Sequence, residues 1–132
     1  MNVVEAFATY LEEELSLATL GTDMFISRAP SGVDTDNAIW WLVLSGGGRS
    51  VKNATGEWSQ TSEISVYYRS TDPAEAYALL ERLNHDLLSA GCIELVGYTV
   101  REIETTGPFA DQDLDDEERT LGLLQVSLTT YN

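Results

Sequence analysis

The sequence predicts an α+β domain, and three observations carry the prediction. Two segments, Val3 to Ala18 and Ala76 to Leu87, repeat apolar residues at helical spacing. Several others alternate apolar and polar residues, as half-buried strands do. Helices and strands do not alternate strictly, and the order reads α-β-β-β-α-β-β. That order fits a mixed, mainly antiparallel sheet of five strands with two helices packed on one face. The chain has 132 residues and no linker or repeat, so 1–132 reads as one domain.

The first helix is expected over Asn2 to Leu20. Val3, Phe7, Leu11, Leu15 and Ala18 form its apolar face, and Gly21 stands ready to end it. Glu12, Glu13 and Glu14 fall off that stripe and read as a solvated face. A short strand follows near Met24 to Arg28, broken by Pro30, Ser31 and Gly32. The next strand, Ala38 to Ser45, is apolar on both faces. Ile39, Trp41 and Val43 share one face; Ala38, Trp40, Leu42 and Leu44 share the other. Such a strand is either sandwiched or exposes one face to another subunit.

A glycine-rich loop is expected from Gly46 to Thr61. It carries Arg49 and Lys52, two of only seven basic residues, and Trp58. The run Ser62 to Ser70 alternates cleanly as a strand. The second helix begins at an Asp72 cap with Pro73 in its first turn and Glu75 behind it. Ala76, Leu79, Leu80, Leu83 and Leu87 face the core, and Gly91 ends the helix. Ile93 to Glu104 and Arg119 to Tyr131 read as two long strands. The loop between them is dense in acid: six of the eight residues from Asp111 to Glu118 are Asp or Glu.

Composition excludes several functions. The net charge is −15, from 22 acids and 7 bases. Phosphate contacts need clustered Lys and Arg, so nucleic acid and anionic membrane are poor partners. The single cysteine, Cys92, cannot form an internal disulfide, which is compatible with a reducing cytoplasm. It reads as a small buried residue near a helix end. The opening residues lack the basic and apolar regions of a secretory signal. No segment approaches the roughly 20 apolar residues of a membrane span.

Chemistry is sparse. Asp111, Asp113 and Asp115 match the first ligand positions of a calcium loop, but Asp116 replaces its glycine and Gly122 its final glutamate. One Cys and one His, Cys92 and His85, cannot complete a zinc site. His85 reads as a solvated helical residue. Gly46 to Gly48 lack the Lys-Ser/Thr pair of a phosphate loop. No serine motif pairs with the lone histidine. The sequence therefore points to a non-enzyme without metal or cofactor. The aromatic pairs Trp40–Trp41 and Tyr67–Tyr68 must each send one ring to either face of the sheet. Each pair fits one core ring with one half-exposed ring, and equally a subunit interface anchored by Trp and Tyr. The doubly apolar strand favours oligomerisation.

The chain resembles the tail terminator and minor capsid proteins of long-tailed bacteriophages. An opening amphipathic helix, strands, and the proline-capped helix "DPAEAYALLERLNHDLL" precede a strand, a loop and a last strand. Gly107, Pro108, Phe109, Asp113 and Arg119 fit the family's Gly-Pro-apolar, polar loop, Arg pattern. Glu118 stands where a glycine often precedes that arginine. The resemblance implies a virion protein, made in the host cytoplasm and located at the tail end or neck. It implies a ring, usually a hexamer, that caps the tail tube, stops its polymerisation and offers a docking surface to the DNA-filled head. Its partners would be its own copies, the tail tube protein and a head–tail connector, with DNA passing through unbound. A neck or head-completion connector is the nearest alternative; an acidic DNA mimic is the alternative of another class. The expected contact residues are Trp40, Trp41, Arg49, Lys52, Trp58 and Tyr67, with Asp111, Asp113, Asp115, Asp116, Glu117, Glu118 and Arg119 of the acidic loop.

Overall fold

A computed structural model describes residues 2–26, 39–52, 54, 56, 58–70, 72–111 and 120–131. The elements are α1 (Val3–Glu13), β1 (Met24–Ile26), β2 (Ile39–Lys52), β3 (Trp58–Ser70), α2 (Pro73–Ala90), β4 (Ile93–Leu95), β5 (Tyr98–Asp111) and β6 (Thr120–Tyr131). The fold is α+β. Its strands form one mixed sheet of six, in the order β1-β2-β3-β6-β5-β4. Only the β1–β2 pair is parallel.

Helix α2 forms where its sequence signals place it. The Asp72 carboxylate accepts from the Ala74 and Glu75 amides at 3.0 and 3.3 Å, satisfying two orphan donors of the first turn. Gly91 ends the helix with a φ of 68°, a left-handed value that costs glycine little. Ala76, Leu80, Leu83 and Leu87 are buried against the sheet, with Leu79 at the margin. Gly122 on β6 lets α2 come close: a Cβ there would overlap Leu80 Cδ1.

Helix α1 is shorter than its apolar periodicity implies. The Asn2 side chain caps it by accepting from the Glu5 amide at 2.8 Å. The helix stops at Glu13, because the Leu15 and Leu17 amides reach back to the Tyr10 and Leu11 carbonyls and Ser16 takes a φ of 52°. Leu15, Leu17, Ala18 and Leu20 still pack on the core, but from a turn. Glu12 is not merely solvated. It accepts from the Leu20 amide at 2.6 Å and so holds that turn to the helix.

The core lies on one face of the sheet. Trp40, Leu42, Ile64, Val66, Tyr68, Leu124, Val126 and Leu128 meet Phe7 and Leu11 of α1 and Leu80, Leu83 and Leu87 of α2. Both helices therefore occupy the same face. Helix α1 touches β1 and β2 at one rim and β4 at the other, so the sheet curls around it.

Three expectations need correction. The sheet has six strands, because Val96 and Gly97 turn the chain and split the Ile93–Glu104 run into β4 and β5. The glycine-rich stretch is mostly strand: β2 runs to Lys52 and β3 begins at Trp58, with register shifts at Gly46 absorbing the glycines. Cys92 is exposed, since it sits in the link between α2 and β4 where its side chain meets no core. The last strand is described from Thr120, and Arg119, where the sequence starts it, lies outside the described residues.

Candidate interaction surface

The sheet face away from the helices carries a connected apolar row. Backbone register sets it: Phe25 of β1 lies beside Trp41 of β2, Trp41 beside Tyr67 of β3, Tyr67 beside Leu123 of β6, and Leu123 beside Phe109 of β5. Directly registered residues share a face, so five apolar side chains cross five strands in one line. No described helix or strand covers them, and none belongs to the core cluster. Phe109 is 52% exposed, Phe25, Trp41, Tyr67 and Leu123 are half-buried, and Ile39 and Ser65 on the same face are buried. The Trp41 and Tyr67 rings stack at 5.2 Å with 12° between planes, which pre-forms a flat aromatic platform.

The row lies toward one end of this face, the end that carries β1. The other end is polar: Glu63, Glu104, Ser127, and the Thr61 and Thr129 hydroxyls that bond each other at 2.9 Å. One face thus divides into an apolar half and a hydrophilic half. A contiguous, partly exposed aromatic row that no described element covers is characteristic of contact sites between proteins.

The expected contact residues distribute unevenly. Trp41 and Tyr67 sit in the centre of the row. Trp40, by contrast, is a core residue in the single chain: it is 4% exposed and packs its ring 4.4 Å from that of Tyr68, under the helices. Its position in β2, one residue from Trp41, dictates the opposite face. Arg49 and Lys52 belong to β2 and Trp58 to β3. Lys52 Nζ lies 5.2 Å from the Trp58 ring centroid, and Trp58 is itself exposed. Asp111 ends β5, registered with Leu121. Asp113, Asp115, Asp116, Glu117, Glu118 and Arg119 lie outside the described residues. Phe25, Leu123 and Phe109 were not singled out by sequence as contact residues. Nothing local marks them; only the pairing register joins positions so far apart in the chain.

The described residues hold no chemistry comparable to this surface. No group of three His, Cys, Asp or Glu among them is placed to hold a metal. A hollow of about 470 Å³ lies between the outer ends of β2 and β3 and the β4–β5 turn. It is lined by Ser50, Trp58, Gln60, Glu94, Tyr98 and Tyr131 among others and is mostly polar. Beside it, the Tyr131 hydroxyl donates to Glu102 at 3.2 Å and Arg101 lies 5.7 Å from the Tyr131 ring. No described helix is long and apolar enough to cross a membrane. No known protein family matches this chain, and no curated protein does.

Proposed function

We propose that this protein is a structural component of a long-tailed phage virion, a ring that caps the tail tube, ends its polymerisation and presents a docking surface to the head. One observation supports the reading above the others: the row Phe25–Trp41–Tyr67–Leu123–Phe109, which no described helix or strand covers, at one end of the sheet face away from the helices. A chain that spends five large apolar residues on a surface gains by covering them. Each side chain fully removed from water contributes roughly 1.5–3 kcal/mol. In this reading the apolar end of each copy rests on the tail tube. No bond is made or broken; assembly works by surface complementarity and rotational symmetry.

The charge fits the same reading. Each copy carries −15. A ring of such copies surrounds its channel with negative potential, so DNA passes without adhering to the wall. The test is fractionation of virus assembly intermediates. The protein is expected on isolated headless tails. Recovery only with tailless heads would replace the tail-end role by a neck role, and recovery with neither would remove the virion role altogether.

A further inference from the structure

Strand β6 ends at Tyr131, while its neighbours β3 and β5 begin one residue farther out. Thr130 is registered with both Gln60 of β3 and Val100 of β5, so these three form one row across the sheet. Both neighbours run antiparallel to β6, so the residues two places before Gln60 and Val100 stand level with each other. They are Trp58 and Tyr98. Side chains alternate along a strand, so both rings share the face of the buried Val100, the face that carries the helices. Among the described residues, none stands between them at that level. Two strand spacings separate them, roughly 9–10 Å. On either flank the row continues, with Lys52 beside Trp58 and Leu95 beside Tyr98.

The result is a notch in the end of the sheet, and it holds the hollow of about 470 Å³. That size falls within the roughly 300–1,000 Å³ of small-molecule sites. The lining combines two kinds of group. Trp58 and Tyr98 supply flat rings, and Trp58 is the most exposed of the three tryptophans at 47%. Ser50, Gln60 and Thr130 supply hydroxyls and an amide, able both to donate and to accept, and Glu94 supplies a carboxylate. The Thr130 hydroxyl donates to the Gln60 carbonyl at 3.3 Å, which leaves its own oxygen to accept. Glu94 Oε2 accepts from the Thr99 hydroxyl at 3.1 Å, which steadies the carboxylate.

We propose that this notch binds a neutral saccharide, with one pyranose ring lying between Trp58 and Tyr98. The site does not depend on the ring reading above. Charge selects the ligand class. An anion would meet Glu94 and a chain of net −15, with no Lys or Arg among the described lining residues. A cation would compete with cations already in place: Lys52 Nζ lies 5.2 Å from the Trp58 ring centroid, and Arg101 lies 5.7 Å from that of Tyr131. A neutral sugar meets neither obstacle. Its C–H groups form an apolar face that rests on the electron-rich face of an aromatic ring. Its hydroxyls ring the edge, each both donor and acceptor, and match the mixed polar lining. A nucleobase would stack as well, but its donors and acceptors lie in one plane, whereas Ser50, Gln60, Thr130 and Glu94 reach the notch from four different strands.

The test is ligand-observed saturation-transfer NMR of the whole protein with neutral trisaccharides of glucose, galactose, mannose and N-acetylglucosamine. Spermidine, inorganic phosphate and adenosine serve as cation, anion and base probes. At least one trisaccharide is expected to bind saturably at millimolar concentration. Trp58→Ala is expected to weaken that binding about tenfold, the scale of one aromatic contact, and Glu94→Gln to weaken it as well. Tyr77→Ala, which removes an exposed ring on α2, is expected to leave it unchanged. Trp58 and Glu94 are exposed, so circular dichroism is expected to show the native fold in both site variants. Binding of no trisaccharide overturns the proposal. So does saccharide binding that survives Trp58→Ala, and so does Trp58-dependent binding of spermidine, phosphate or adenosine without any saccharide.

Discussion

Replacing each of two adjacent tryptophans by alanine separates the core face of β2 from its contact face. Trp40 is 4% exposed and packs on Tyr68 beneath the helices, so Trp40→Ala removes a buried indole and leaves a cavity. Such truncations cost about 3–5 kcal/mol, a large part of the 5–15 kcal/mol that holds a typical domain together. With a urea slope of about 1.5 kcal/mol/M, the unfolding midpoint falls by roughly 2–3 M. Trp41 stands on the face away from the helices, stacked on Tyr67 and outside the core cluster. Its removal forfeits the aromatic pair, worth about 0.5–1.5 kcal/mol beyond area. Urea unfolding followed by circular dichroism measures both changes, and sedimentation with tail tubes measures binding. Trp41→Ala is expected to keep the fold and lose the tubes. Equal destabilisation by the two variants, or tube binding untouched by Trp41→Ala, would refute the division of labour.

Gly122→Ala places a Cβ against the buried Leu80 and is expected to cost about 1–3 kcal/mol by forcing α2 off β6; Leu80→Ala in the same chain should recover part of that, as thermal melting of the double variant will show. Asp72→Ala leaves the Ala74 and Glu75 amides without their acceptor and is expected to cost about 1 kcal/mol in urea unfolding. Burial raises the Tyr68 phenol above its usual pKa of 10.0, with Glu75 adding to the shift, and burial followed by Glu14 and Asp86 does the same to Tyr10. Both groups bind their protons more tightly when folded, so their contribution is complete below pH 10 and is lost as pH rises through the folded values. Urea midpoints measured from pH 8 to 11 should hold steady and then decline above 10; a rise there contradicts the assignment.

Much of the framework was legible in the residues, for identifiable reasons. Helix α2 combined an Asp72 cap, Pro73, a leucine stripe and Gly91, all acting over a few residues, and every one of those signals operates in the fold. Alternation in β3 and β6 likewise marked their buried faces. The end of α1 was hidden because Leu15, Leu17, Ala18 and Leu20 continue the apolar period while packing from a turn held by Glu12. The β4–β5 division was hidden because Val96 and Gly97 interrupt an otherwise strand-like run. Trp41 and Tyr67 could be suspected as surface aromatics from their doublets, but not told from Trp40 and Tyr68 without knowing which face the helices take. The row they belong to depends on the register of β1, β6 and β5. Register is a long-range property, so Phe25, Phe109 and Leu123 gave no local hint.

The most direct measurement is electron microscopy of tail tubes polymerising with and without the purified protein. A ring of density at one tube end, together with arrest of growth at that end, is the expected result. Tubes that lengthen unchanged beside free protein, with bare ends, would contradict the tail-end role.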